Sequence, residues 1–307
     1  FAPRAKRVIF LFMHGGPSQV DTFDWKPMLE RDDGKPCQLP SPRVTFSENR
    51  GALLKSPWQF RQYGESGAWI SDLFPRLAER ADDLCFIKSM HGSNDAHGGA
   101  LLKIHTGSDT FVRPSMGSWV LYGLGSENRN LPGFITICPT LGHGGVNNWS
   151  SAFLPALHQG TPIGNASVPA KDAVVRYLAN ETLDRETQRR QWDLVQEFNR
   201  RHREDRPGSG AAEDALDARI EAAELSFRMQ MEAPRVLALD DESAETKQIY
   251  GIDEMPTDNF GRQCLMARRL TEAGVRFVQC THSYKWDQHG DLKADHTKNA
   301  AEVDKPI

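Results

Sequence analysis

The stretch that most constrains the fold is Val8-Ile-Phe-Leu-Phe-Met13, an unbroken apolar run that ends at His14-Gly15-Gly16-Pro17. Six apolar residues with basic residues before them and glycines after them read as a strand buried on both faces of a sheet. In an open α/β sheet, chemistry gathers just beyond the carboxyl ends of such strands. His14, Asp21 and Asp24 come after this one and are side chains able to bind a metal. The alternative is structural: His14 and Ser18 satisfy backbone groups in a turn, and the two aspartates cap the next helix or turn.

The same pattern recurs along the chain. Apolar runs at Leu84 to Ser89, Gly133 to Cys138 and Val275 to Thr281 are further strand candidates. Each is followed by a loop of glycines and polar residues, and the strands alternate with helical spacing. Ser71 or Asp72 can cap a helix through Leu73, Leu77 and Ala81. Ala100 to Ile104, Pro114 to Leu124 and Asp258 to Ala273 are the next helices, the last ending at Gly274. The expected architecture is α/β, a mostly parallel central sheet flanked by helices. Between Thr182 and Met231 the composition becomes charged and helical, broken at Arg206 to Gly210. Trp192, Val195 and Phe198, then Leu216, Ile220 and Ala223, recur at three and four residues, as in a helical hairpin packed by one stripe. This divides the chain into 1–175, the first part of an α/β domain, 176–250, a charged helical insertion, and 251–307, the continuation of the α/β domain. Lys26 to Trp69 shows little periodicity and reads as a long irregular excursion.

Composition narrows the partners. The 307 residues carry a net charge of -4 with no basic stripe, which argues against nucleic acid. No apolar run approaches the roughly 20 residues of a membrane span. The five cysteines lack the close pairing of a zinc knuckle or a redox pair, and Cys85, Cys138 and Cys280 lie in apolar runs as buried small hydrophobes. The start at Phe1 implies that a segment precedes it, and Asp295 to Ile307 reads as a helix that stops without a cap.

Three loops hold histidine together with aspartate. Carboxylate and imidazole donors from several strand ends suit Zn2+, Mn2+ or a mixed pair. Asp287 and His289 are separated by one residue, so in extended chain they point the same way and can share an ion. In His91-Gly-Ser-Asn-Asp-Ala-His97, the N-H groups of the adjoining helix favour an anion, which makes His91, Asn94 and Asp95 candidates for holding one. Ser93 is the hydroxyl there that can act as nucleophile, with His97 or Asp95 to assist it. A plain turn role for Ser93 stays open, and for Asp295-His296 a cap is the stronger reading. The loop Leu141 to Asn148 lacks the spacing of a phosphate loop and reads as a rim beside the substrate.

Taken together, the opening motif with Lys26-Pro27, the middle His91 to Gly99 with His105-Thr-Gly107, and Trp286-Asp-Gln-His-Gly290 resemble the domain-of-unknown-function 1501 proteins over essentially the whole chain. These are exported bacterial proteins, abundant in planctomycetes and often described as sulfatase-like. The resemblance implies an alkaline phosphatase-like fold and a site at the carboxyl edge of the sheet. Asp21, Asp287 and His289 would be its ligands beside His14, for a divalent cation (Zn, Mn or Ca). The sulfatase motif Cys/Ser-x-Pro-x-Arg is not present, and His97 falls at the position of its nucleophile. Family members also continue through a further motif and an Asp-His pair, so the chain reads as a fragment. The resemblance further implies a periplasmic or extracytoplasmic location. The expected function is a metal-dependent hydrolase of sulfate or phosphate esters, with Ser93 and His97 catalytic and an anionic ester, such as a sulfated or phosphorylated glycan, as substrate. The rival is a non-catalytic carbohydrate- or envelope-binding protein that retains the fold.

Overall fold

The computed structural model describes residues 2, 4–37, 51–205, 211–282 and 285–307. Six strands occur among them: β1 (Val8–Met13), β2 (Phe60–Tyr63), β3 (Ala68–Ser71), β4 (Phe134–Ile137), β5 (Thr161–Ile163) and β6 (Phe277–His282). Four form the central sheet in the order β1-β6-β4-β5, with every neighbouring pair parallel. Every residue of β4 and β6 is buried, as near-continuous apolar runs covered on both faces should be. The fold is mixed α/β, with helices on both sides of this parallel sheet.

Register decides what each strand residue faces. Phe10 and Phe12 point to one side, where the His105 ring stands edge-on to Phe12 at 4.5 Å, and Phe134 and Phe277 meet at 5.2 Å. Leu11 and Met13 point to the other, against the larger core that holds Ile137, Leu265, Leu270, Val278, Trp286 and Val303. The helix His97–Thr106 lies on the first side. The helices Asp258–Glu272 and Leu292–Val303 lie on the second, where Phe260 meets His282 from β6. Asp258–Glu272 stops as its sequence indicates: Gly274, at φ +95°, donates to Thr271 O and Val275 donates to Leu270 O. Those two bonds are a Schellman cap, closed by the buried apolar pair Leu270 and Val275.

Several expectations need correction. Leu84 to Ser89 is not a strand: Cys85 and Ile87 are exposed, while Phe86 stacks on Phe23 at 5.3 Å, so one aromatic anchor holds an extended loop. The fourth strand of the sheet is β5 instead. β1 is not buried on both faces either. Among the described residues it pairs only with β6, and Val8 and Ile9 are exposed. The excursion after β1 contains the antiparallel hairpin β2-β3, turned over Gly64 to Gly67, while its residues 38–50 lie outside the described residues. Of the cysteines expected to be buried, Cys138 and Cys280 are, and Cys85 is exposed.

The helices Arg185–Asp205 and Ala211–Leu237 run antiparallel, and of the expected stripe Trp192 reaches across, its indole N-H donating to Glu224. They meet through Arg189 and Glu224 at 3.0 Å, Gln188 and Gln230 at 3.0 Å, and Arg185 and Arg189 over the Phe227 ring. Val195 and Phe198 of that stripe are exposed. The final helix starts after Asp291, which places Asp295 inside its first turn and not at its cap.

Candidate functional site

Three neighbouring strands deliver side chains to one edge of the sheet. His14 is the residue after β1, His143 stands in the loop after β4, and Asp287 and His289 stand in the segment after β6. His97 is the first residue of its helix, which packs beside that edge. In open α/β sheets, ligands bind beyond such strand ends.

The centre of the group is the Asp287 carboxylate. Its Oδ2 accepts from His97 Nε2 at 2.8 Å and from His289 Nε2 at 2.9 Å. The His97 ring stacks on His143 at 5.1 Å, and His143 Nδ1 lies 3.3 Å from His14 Nε2. Exposure grades outward from the buried His14 through Asp287 and His97, with side chains 20% and 30% exposed, to His289 at 77%. The imidazole of His14 is pushed down to about 4, first by burial and then by the nearby His143, His97 and His105, with Asp287 opposing. It is therefore neutral at neutral pH.

Gly15 makes the close approach possible. It sits at φ +111°, and a Cβ there would lie 2.5 Å from Asp287 N, so only glycine lets β1's end lie against the Asp287 segment. The His14 carbonyl accepts from the backbone N-H groups of Lys285 and Trp286 at 3.3 and 3.2 Å, and the His14 N-H donates to His282 O. His143 stands at φ +46° between Gly142 and Gly144, an unusual conformation for a residue with a side chain.

The structure thus brings together His14, His97, Asp287 and His289 of the residues singled out in the sequence. Asp95 is exposed, and it lines, with Gly15, Gly16, Pro17 and His97, a cleft of about 450 Å³. Ser93 is not with them. It is exposed on the surface, and its hydroxyl donates to Asp109 at 2.9 Å. Asn94 spends its side-chain oxygen on Ala96 N at 2.9 Å in a local turn, and His91 is exposed. Asp21 belongs to a different group: it accepts from Ser18 Oγ at 2.6 Å, and Ser18 N donates to His296 Nε2 at 3.0 Å. His296 is buried and its pKa is lowered, by burial first, against the pull of Asp21 and Asp295. Asp24 pairs with Lys26 at 2.7 Å. Sequence reasoning missed His143, although a histidine between two glycines after an apolar run repeats the pattern of the other loops.

Among the described residues, no group of three or more His, Cys, Asp or Glu side chains stands arranged as a metal site. The donor set is nonetheless of the kind a borderline divalent cation takes, since two Nε2 atoms converge on one carboxylate oxygen beside a neutral imidazole. Among the described residues, no helix is long and apolar enough to cross a membrane.

No curated protein and no solved structure matches the chain. A family model described as a protein of unknown function, DUF1501, matches residues 5–307, and the chain belongs to that family.

Proposed function

We propose that the protein is a metal-dependent hydrolase of sulfate or phosphate esters, with an alkaline phosphatase-like arrangement of the sheet, acting outside the cytoplasm. The observation that carries this reading is the Asp287 carboxylate held between His97 and His289, beside a neutral His14, at the carboxyl edge of parallel strands. Asp287, His289 and His14 would hold the cation, of the Zn, Mn or Ca class. When bound, the ion supplies Lewis-acid stabilisation of charge on the ester oxygens.

The chain's own residues supply the rest. The start of the helix His97–Thr106, which has no side-chain cap at Ala96, would orient the anionic group of the substrate. His143, exposed and stacked on His97, takes the proton of the attacking water. His97, its Nε2 held on Asp287, returns a proton from its other ring nitrogen, Nδ1, to the departing alcohol oxygen. Water attacks, because the Ser93 hydroxyl is turned to Asp109 on the surface. The ester bond breaks as the new bond to phosphorus or sulfur forms.

The test is turnover of p-nitrophenyl phosphate and p-nitrophenyl sulfate by the parent protein and by Asp287→Ala. Loss of turnover in the variant supports the reading, and full turnover overturns it. Retention on a sulfated polysaccharide in the presence of a chelator, without turnover of either ester, favours the binding module.

A further inference from the structure

The segment that carries Asp287 is clamped from the opposite face of the sheet. His282, the last residue of β6, points away from His97 and into the layer of the helices Asp258–Glu272 and Leu292–Val303. There the Trp286 indole N-H donates to His282 Nδ1 at 2.8 Å. An indole nitrogen only donates, so His282 must carry its proton on Nε2. That Nε2 lies 2.9 Å from Glu302 Oε2, to which it donates. The Lys285 ammonium binds the same oxygen, and Asn299 donates to the Lys285 carbonyl at 2.8 Å. Both His282 and Trp286 are 2% exposed.

We infer that Glu302 is a positioning residue for the Asp287 carboxylate, acting through His282 and Trp286; this rests on reading Asp287 as the centre of the site. Trp286 immediately precedes Asp287, so fixing its indole on one face and its backbone N-H on His14 O leaves the aspartate few orientations. Gly15, packed against the Trp286-Asp287 peptide, closes the clamp. The arrangement also gives the partly buried Glu302 its partners. Burial opposes the charge of Glu302, and His282 and Lys285 outweigh it, holding its carboxyl below the usual range. Outer hydrogen bonds of this kind orient the groups that touch a ligand, and their loss typically costs about 10- to 100-fold in metal affinity or activity.

The experiment is 15N-edited proton NMR of histidine-labelled protein without added metal, and then Zn2+ titration. It compares the parent with Glu302→Gln, Glu302→Ala and Trp286→Phe. The His97 Nε2-H resonance, which reports the bond to Asp287, should persist in Glu302→Gln, whose amide oxygen still accepts from His282. It should be lost in Glu302→Ala and Trp286→Phe, with Zn2+ affinity reduced about 10- to 100-fold. Two variants removing different atoms of the clamp guard against one that fails to fold. An unchanged resonance in the folded Ala or Phe variant overturns the inference. A resonance that depends on Glu302 in a parent protein that neither binds Zn2+ nor turns over ester keeps the positioning role and overturns the hydrolase.

Discussion

His97 Nε2 lies 2.8 Å from Asp287 Oδ2, although 190 residues separate the two in sequence. One comes from a helix start and the other from the segment after β6, so only the parallel sheet brings them together. With Asp287 fixing its ring through Nε2, His97 protonates the leaving alcohol from Nδ1 in the proposed reaction. His97→Gln should lower turnover of p-nitrophenyl phosphate by about two to four orders of magnitude, the usual range for a proton-transfer group. The loss should fall mainly on kcat, and unchanged steady-state kinetics would remove His97 from the mechanism.

Gly15→Ala should damage both stability and the site. The left-handed φ of +111° and the 2.5 Å approach to Asp287 N leave no room for a methyl group against backbone. The expected cost is about 1–3 kcal/mol in guanidinium unfolding. Parent-like stability would mean that β1 and the Asp287 segment separate easily.

Ser93→Ala should be nearly silent. The hydroxyl is bound to Asp109 on the surface, so turnover should match the parent and stability should change by no more than about 0.5 kcal/mol. A large loss of turnover would restore Ser93 as the nucleophile.

The fold should weaken on mild acidification. The pKa of buried His105 is pushed down to about 4 by burial, against its hydrogen bond to Leu101. In the unfolded chain it titrates near 6.5, so between about pH 6.5 and 4 the unfolded state binds more protons. Its contribution is present above pH 6.5 and is lost as pH falls toward 4, on the order of 3 kcal/mol. Unfolding midpoints in guanidinium at pH 5 and pH 7.5 check this. His105→Asn should flatten the dependence, and an equally steep dependence in that variant would assign the proton elsewhere.

How much was legible depends on how local each signal is. β4, β6 and the helix Asp258–Glu272 announce themselves through apolar runs and a glycine stop, which the Gly274 cap bears out. β5 does not, because Thr161-Pro162-Ile163 is too short to show a period. Leu84 to Ser89 misleads because an apolar tetrapeptide looks the same whether or not a neighbouring strand waits for it. In the site, the placement of His14, Asp287 and His289 at one edge could be inferred from position after strands, whereas for His97 that inference rests on Leu84 to Ser89, which is not a strand. Ser93 could not be placed, since its choice between Asp109 and the crevice is a tertiary matter. Glu302 reads in sequence as one more solvated helix charge, and only the fold shows it under His282.

The central claim is that the group around Asp287 holds a divalent cation. The most direct measurement is elemental mass spectrometry of dialysed protein, parent beside Asp287→Ala. At least one tightly held ion per chain is expected in the parent, and its loss in the variant. A well-folded parent without bound metal, or an equal content in the variant, would contradict the claim.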